Sequence, residues 1–205
     1  MKSKLKLSVL ALVAGSSLVA PALAANDSPW MVRFRIIDVM PDESSQLTGG
    51  GAGTVDISTQ VVPELDITYF FDKNWAAELI LATTPHDIEH SAAGDLGSVW
   101  LLPPTLTLQY HLDPDSQDFR PYFGAGVNYT IFYNIDDNPG LNMDYGNSFG
   151  FALQAGFDVP VGGGWVLNAD IKKVWINTDV ELNGVDVGDV DINPWVLGVG
   201  VGYRF

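Results

Sequence analysis

The chain has 205 residues, a formal net charge of −15 and no cysteine. Such an acidic balance excludes nucleic acid as a partner, because the phosphate backbone would repel it. The lack of cysteine excludes a disulfide framework, and the lack of about 18 consecutive apolar residues beyond the N-terminal segment argues against an inner-membrane protein with spanning helices.

The N-terminus predicts a secretory signal peptide over residues 1–24. Lys2, Lys4 and Lys6 precede an apolar stretch that begins at Leu7, and small residues before and at Ala24 offer a cleavage site. Cleavage there leaves one domain, residues 25–205, which is more acidic still. An exported chain without disulfides needs another source of stability, and a closed sheet in which every strand pairs with two neighbours supplies it.

Eight segments of the mature chain alternate apolar and polar residues with the period of two that is typical of strands. They cover residues 30–39, 56–70, 75–82, 101–112, 121–133, 148–159, 165–176 and 194–205. Short connections at 71–74, 113–120 and 160–164 alternate with long ones at 40–55, 85–99, 134–147 and 177–193. This asymmetry predicts an outer-membrane barrel with short periplasmic turns, four long extracellular loops and both termini in the periplasm.

The two faces of these segments differ in polarity. The last one carries Trp195, Leu197, Val199, Val201 and Tyr203 on one face and ends on Phe205. The opposite faces of the set carry polar side chains, namely Arg33, Arg35, Glu64, Asp66, Glu78, Gln109, Gln154, Asp170, Lys172 and Arg204. We therefore predict an all-β, eight-stranded antiparallel transmembrane β-barrel with lipid outside. A soluble sandwich or ligand-carrying barrel with its apolar faces inward is the alternative.

Prolines predict a gap in the wall of this barrel. Pro85 ends the third segment, Pro103 and Pro104 begin the fourth, and none of them can donate a backbone hydrogen bond. Pairing of these neighbouring strands should fail near their outer ends and leave a lateral opening. Its residues are Pro85, Pro103, Pro104, Leu81, Trp100, Leu101 and Leu102. Alternatively, the prolines only mark where strands emerge into loops.

The interior of an eight-stranded barrel is about filled by its own side chains, so a wide aqueous pore is excluded. Inward glycines such as Gly198 and Gly200 either leave room for cargo or accommodate coiling and large neighbours such as Arg33 and Arg35. A constriction is predicted below the opening, and it consists of Ile80, Lys172, Glu78 and Asp170. The charged members would form a salt-bridged plug.

The histidines do not indicate catalysis or a metal. His86 and His90 are four residues apart, a spacing that places both on one face only in a helix, and nothing nucleates a helix there. Ser91 lies close in sequence, but no third orienting group can be assigned. His111 is interpreted as a hydrogen-bonding group at the barrel end. We therefore expect no enzyme activity, no metal and no cofactor.

The four long connections contain acidic residues but no Lys or Arg. Their negative field would concentrate cations and favour divalent bridging to lipopolysaccharide, or it is simply a solvated surface. A receptor or adhesion function of these loops, with the barrel as support, is an alternative to transport.

Several dispersed stretches resemble the outer membrane protein W (OmpW) family: residues 77–79 with Thr84 and Pro85, 102–105, 119–129, 193–196 and 202–205. The resemblance covers essentially the whole mature chain. It implies an outer-membrane barrel with a narrow, largely apolar interior that helps small hydrophobic molecules to cross, with lipid and lipopolysaccharide around it. In such a protein the terminal Phe205 would be recognised by the barrel-assembly machinery. A lipid-modifying barrel enzyme is a weaker alternative.

Overall fold

The computed structural model describes residues 28–47, 54–92 and 94–205, and the predicted signal peptide lies outside them. Within these ranges no helix has the length and hydropathy needed to cross a membrane. The described chain forms fifteen strands: β1 (Trp30–Met40), β2 (Ser44–Leu47), β3 (Val55–Ile57), β4 (Gln60–Phe70), β5 (Trp75–Ala82), β6 (Thr84–His90), β7 (Gly94–Leu102), β8 (Thr105–His111), β9 (Arg120–Asp137), β10 (Met143–Tyr145), β11 (Ser148–Gly162), β12 (Trp165–Val174), β13 (Asn177–Leu182), β14 (Val185–Asp191) and β15 (Trp195–Arg204).

Eight of these strands close into an antiparallel barrel. Their order around the wall is β1, β4, β5, β8, β9, β11, β12 and β15, and β15 pairs with β1 to complete the circle. The closing ladder runs from the pair Met31 and Arg204 to the pair Met40 and Trp195. The prediction of an all-β, eight-stranded antiparallel barrel is therefore confirmed.

The outer surface of the barrel is apolar between two aromatic zones. Strand β8 shows the alternation plainly, since Leu106 and Leu108 are exposed while Thr107 and Gln109 are buried. At the end with the short turns, ring pairs form between neighbouring strands, Trp30 with Tyr69, Trp75 with Tyr110, and Trp165 with Tyr203. Trp100, Tyr133, Trp175 and Trp195 lie towards the other end. An apolar band between aromatic girdles is the exterior of a membrane barrel.

Two predicted strands are each divided in the structure. The segment 56–70 breaks at Ser58 and Thr59, which reverses the facing, so that Ile57 points inward and is buried whereas Val61 points outward. The segment 101–112 breaks at Pro103 and Pro104, between β7 and β8. Treating either segment as one strand was wrong. The first break shifts the facing, which period-two alternation alone does not register, and at the second break the two prolines cannot donate to a ladder.

The long connections carry strands where the sequence predicted loops. Strands β3, β6 and β7 extend one side of the barrel as a sheet that pairs with the upper half of β9. Strands β10, β13, β14 and β2 form a second sheet. The β13–β14 hairpin turns at Asn183 and Gly184, both with positive φ, which is the turn chemistry that a tight hairpin requires. These two sheets stand above the barrel and enclose a space between them.

Candidate functional site

The lower interior of the barrel is filled by an ion-paired cluster, here called the plug. Arg35 lies at its centre, fully buried, with Nε 2.9 Å from Glu64 Oε1 and Nη2 2.6 Å from Asp66 Oδ2. Its Nη1 also donates to Asp170, on the far side of the barrel. One guanidinium thus ties β1 to β4 and β12, which fixes the interior across its width.

Arg33 forms the next layer towards the short turns. Its Nη1 lies 2.7 Å from Glu78 Oε1, and its Nη2 lies 2.7 Å from Asp158 Oδ2. The guanidinium carbon sits 5.4 Å from the centre of the Tyr122 ring. Below this layer, Met31, Phe70, Ala76 and Val166 form a small apolar floor. The plug is therefore closed from beneath as well.

Amide side chains complete the plug. Gln109 Nε2 donates to Glu78 Oε2 at 2.7 Å, and Gln154 Nε2 donates to Glu78 Oε2 and to Asp170 Oδ2, each at 2.9 Å. Lys172 Nζ lies 2.8 Å from Glu64 Oε1 and 3.1 Å from Asp170 Oδ2, on the upper face. Charged groups buried in this way need such partners, because removing one leaves a costly unpaired charge.

The inward glycines hold this packing and leave no open lumen at the level of the plug. A Cβ on Gly200 would collide with the Phe34 carbonyl and with Arg35, and one on Gly198 would collide with Asp170. The glycines therefore accommodate large neighbours and close backbone approach, which was one of the two readings of the sequence. The apolar interior that the family resemblance implied is wrong for this half of the barrel, because the buried groups here are charged.

An apolar cavity of about 180 Å³ lies between the two outer sheets and is called the outer chamber. Its walls belong to the largest buried apolar cluster among the described residues, to which Ile57, Ile88, Val99, Val180 and Val190 contribute. His86, His90 and Thr178 are among its few polar lining residues.

A second cavity of about 50 Å³, the inner chamber, lies between the outer chamber and the plug. Glu64 and Lys172 are part of its lining, so the upper face of the plug is its floor. Three side chains, His86, Leu101 and Ile192, line both chambers. They form the partition between the two spaces.

His86 is held rigidly in this partition. Its Nδ1 lies 2.7 Å from the Ser58 carbonyl oxygen and its Nε2 lies 3.0 Å from Thr84 Oγ1. Since a carbonyl can only accept, Nδ1 carries the proton and Nε2 of the neutral ring accepts from the hydroxyl. Burial lowers the pKa of His86, although the bond to Ser58 opposes this shift. The neutral imidazole is therefore the resident form.

The wall beside the inner chamber lacks a complete ladder. Pairing of β5 with β8 ends at Ile80 and Thr105, and pairing resumes above, where Thr84 faces Leu101 in the β6–β7 hairpin. Each side keeps its other neighbour, since Leu81 pairs with Leu65 of β4 and the Pro104 carbonyl accepts from the Tyr129 amide. The interruption, called the seam, spans residues 81–83 and 102–104.

The residues predicted to form the lateral opening take different positions around the seam. Leu101 is buried in the partition and Pro103 lines the inner chamber. Leu81, Trp100 and Leu102 are half-buried in the wall. Pro85 lies inside β6 opposite Trp100, so the placement of failed pairing at Pro85 was wrong, and the interruption lies below it. The hydroxyl of Thr83 donates to the Leu101 carbonyl across the seam at 3.2 Å.

The residues predicted to form the constriction lie at two levels. Glu78 and Asp170 are inside the plug, whereas Lys172 is on its upper face. Ile80 is buried directly above and lines the inner chamber. The structure brings these four side chains together between the inner chamber and the lower barrel, and their role as a constriction stays a prediction.

The remaining histidines and the outer acids are engaged elsewhere. The Ser91 hydroxyl accepts from the Thr54 amide, and His111 Nε2 lies 3.2 Å from Gln109 Oε1 inside the barrel. Acidic side chains surround a hollow on the outer surface, namely Asp87, Glu89, Asp95, Asp136 and Asp137. Over residues 28–47, 54–92 and 94–205, no group of three or more His, Asp or Glu side chains is arranged to hold a metal ion.

The sequence did not reveal the outer chamber, because its lining comes from connections that were interpreted as loops. A signal was present: Asn183-Gly184 between Leu182 and Val185 is a hairpin pattern, and Val180 and Val190 alternate with acidic residues. Because these stretches are strongly acidic, they were interpreted as loops although they alternate.

Comparisons with known proteins agree on the class of this barrel. The OmpW family profile matches residues 27–205. An uncharacterised outer-membrane protein, y4mB of Sinorhizobium fredii, is 46% identical over 197 residues, which are 91% of this chain and 86% of that protein. The dibenzothiophene metabolism operon protein PahQ of Pseudomonas aeruginosa is 29% identical over 88% of this chain and 90% of its own length. The crystal structure of the outer membrane protein OprG from Pseudomonas aeruginosa superimposes with a TM-score of 0.78 at 30% identity, covering 86% of this chain and 95% of OprG.

Proposed function

Because this chain belongs to the OmpW family of the bacterial outer membrane, we propose that it admits small hydrophobic molecules from the outer face and releases them sideways into the bilayer. A molecule would enter the outer chamber, pass the partition into the inner chamber and leave through the seam. The plug below would block the straight path to the periplasm. In an outer-membrane barrel the long connections face outward and the short turns face the periplasm.

One observation carries this proposal: the inner chamber is bounded on both sides of the seam. Ile80, Ala82 and Thr84 line it from β5 and β6, and Pro103 and Thr105 line it from the strands opposite. The prolines there cannot donate backbone hydrogen bonds, so the seam cannot be closed by an ordinary ladder. An apolar outlet next to the chamber would therefore be the wall that faces lipid at the seam.

The proposal assigns roles to the predicted residues. Leu81, Leu102, Pro103 and Pro104 would form the lateral opening, and Trp100 and Leu101, which are paired with β6, would border it from above. Ile80, Lys172, Glu78 and Asp170 would close the route below it. The ion pairs of the plug make aqueous passage of ions or sugars an unsuitable function for this interior, since the charges of the plug are held by one another.

The name of one relative supports the class of cargo. PahQ is named for an operon of dibenzothiophene metabolism, and dibenzothiophene is an apolar aromatic compound. Outer-membrane lipid and lipopolysaccharide would surround the barrel, with divalent cations bridging the acidic outer surface. Recognition of Phe205 by the barrel-assembly machinery belongs to the same proposal. We propose no catalytic step.

The test is to fill the inner chamber without changing the plug. Ala82→Phe places a ring in the chamber beside the seam, whereas Ala77→Phe, on the same strand, places it on the lipid-facing side. We expect uptake of radiolabelled naphthalene by cells that produce Ala82→Phe to fall about tenfold towards the rate of cells without the protein, and uptake with Ala77→Phe to be unchanged. Heat-modifiable migration in gels checks that both barrels fold. Equal uptake by the two variants would contradict a route through the inner chamber.

A further inference from the structure

The two sides of the seam face each other in one register. Ile80 faces Thr105 at the lower end, and Thr84 faces Leu101 at the upper end. Three residues lie between these two pairs on each side, so the register is the same above and below the interruption. The seam is therefore a slit between aligned strands, and widening it requires no change in the ladder at either end.

Two hydroxyl groups bridge the upper end of this slit. Thr83 Oγ1 lies 3.2 Å from the Leu101 carbonyl oxygen, and it also forms a short hydrogen bond with the hydroxyl of Tyr133. Since a carbonyl oxygen can only accept, the Thr83 hydroxyl donates to Leu101 and accepts from Tyr133. This chain of two hydrogen bonds links β7 and β9 to the junction of β5 and β6.

The ring of Tyr133 lies on the outer surface of the wall. Tyr133 is opposite Trp100 in the pairing of β9 with β7, the two ring centres are 6.1 Å apart, and Tyr133 is 38% exposed. A tyrosine in an aromatic zone of this kind has its ring against lipid and its hydroxyl free to bond at the interface. The bond to Thr83 therefore crosses β7 on the side from which lipid meets the seam.

We propose that Tyr133 and Thr83 form a latch that holds the seam closed at rest, and that a hydrophobic molecule leaves sideways only when their hydroxyl groups separate. This inference rests on the proposed function in that the seam is taken as the exit, and it adds the side chains that keep the exit shut. Pro103 and Pro104 cannot donate backbone hydrogen bonds, so side-chain hydroxyl groups supply the link across the slit. Because both groups are side chains, the latch opens by bond rotation while β6, β7 and β9 stay paired.

The first experiment measures opening of the seam without any cargo. The purified mature protein is methyl-labelled and embedded in lipid nanodiscs, and relaxation dispersion is recorded for the methyl groups of Leu81 and Leu102, on the two sides of the seam. Tyr133→Phe removes one hydrogen bond and should raise the population of the open state about threefold. Thr83→Val removes both bonds and should raise it at least as much, whereas Thr83→Ser keeps the hydroxyl and should restore the original population. An unchanged population in Tyr133→Phe and Thr83→Val would overturn the latch.

A matched control removes a tyrosine hydroxyl from the other end of the same surface. Tyr110 is 39% exposed and its ring packs against Trp75 near the short turns. Tyr110→Phe should leave the dispersion of Leu81 and Leu102 as it is in the unaltered protein. An equal response to Tyr110→Phe and Tyr133→Phe would mean that any loss of a surface hydroxyl loosens the barrel, and it would contradict a latch at Thr83.

The double variant tests whether the two hydroxyl groups act as one unit. Because Thr83→Val already removes both bonds, adding Tyr133→Phe to it should open the seam no further. If the effects of the two substitutions multiply instead, the two side chains contribute independently and the latch is refuted.

Uptake of naphthalene separates this inference from the proposed function. If the latch variants open the seam but Ala82→Phe leaves uptake unchanged, the conduit is contradicted and the latch stands. If Ala82→Phe blocks uptake but the latch variants do not open the seam, the latch is contradicted and the conduit stands.

Discussion

The plug and the outer chamber lie along one barrel axis and are stabilised in opposite ways. In the plug, five carboxylates and three cations are paired across the barrel, and amide side chains occupy the remaining space. In the outer chamber, apolar side chains from two sheets surround a cavity that they do not fill. The difference shows that one interior has two levels, a tightly paired plug below and an accessible apolar cavity above.

Each level suits what surrounds it. The plug sits where lipid covers the outside of the wall, so its strands must stay closed, and ion pairs that span the barrel hold them together. The outer sheets stand above the lipid, where backbone groups can be hydrated, and tolerate openings. The seam lies between the two levels, where the ladder of β5 with β8 ends.

The largest expected effect comes from breaking the plug. Arg35→Met leaves Glu64, Asp66 and Asp170 without their central partner and should lower the free energy of unfolding by about 3–5 kcal/mol. Lys73→Met is the matched control. Lys73 Nζ lies 2.8 Å from Asp115 Oδ2 in an exposed ion pair, which should contribute about 0–1 kcal/mol to the free energy of unfolding. Urea titration of the barrel refolded into lipid vesicles measures both. Similar losses in the two variants would contradict a structural role for the plug.

A smaller and more local loss of stability should follow from truncating a side chain of the partition. Leu101→Ala removes a buried side chain that borders both chambers and should destabilise the outer sheets by about 2–3 kcal/mol. Hydrogen exchange should speed up in β6 and β7, while amides beside Arg33 and Arg35 keep their protection. Uniform acceleration through the whole barrel would show that the two levels unfold as one unit.

Acid should destabilise the outer level through His86. Because burial lowers the pKa of folded His86 below 6.5, the unfolded chain takes up a proton at higher pH than the folded chain does. The stability of the outer sheets is therefore complete above about pH 6.5 and declines as the pH falls below it. Hydrogen exchange of β6 between pH 7.5 and 5.5 measures this decline. His86→Gln keeps a neutral hydrogen-bonding side chain and should reduce the pH dependence, whereas an unchanged slope would assign it to another group.

The smallest effect is expected at the rim, in the β13–β14 hairpin. Asp179 and Asp189 face each other across the ladder, and the hydrogen bond between them raises the pKa of Asp189. A raised pKa means that the pair stabilises the folded hairpin in acid and that this contribution is lost as the pH rises. Asp189→Asn should therefore slow hydrogen exchange in the hairpin slightly at neutral pH and should leave the exchange rate in acid unchanged. If exchange is slowed equally at both pH values, repulsion between the two carboxylates is excluded as the cause.

The sequence predicted the plug better than it predicted the chamber. Arg33, Arg35, Glu64, Asp66 and Glu78 recur at alternate positions of long strands, and a period of two assigns each to one face whatever its partners are. Chamber residues such as Ile57 and Val180 lie in short strands between turns, where a break at Ser58 or a hairpin at Asn183 resets the facing. Local alternation cannot reveal such resets.

The number of barrel strands, their order along the chain, the lipid-facing side chains and the polar inner face follow from the sequence alone, because a closed antiparallel sheet in a membrane obliges every strand to alternate. Only the tertiary structure decided that the inner charges pair into a closed plug and that Arg35 and Asp170 occupy the space beside the inward glycines. It also decided that the long connections fold into two sheets around a cavity. Those features depend on which residues meet across the barrel, and residues far apart in the chain become neighbours only when the ladder between β1 and β15 closes.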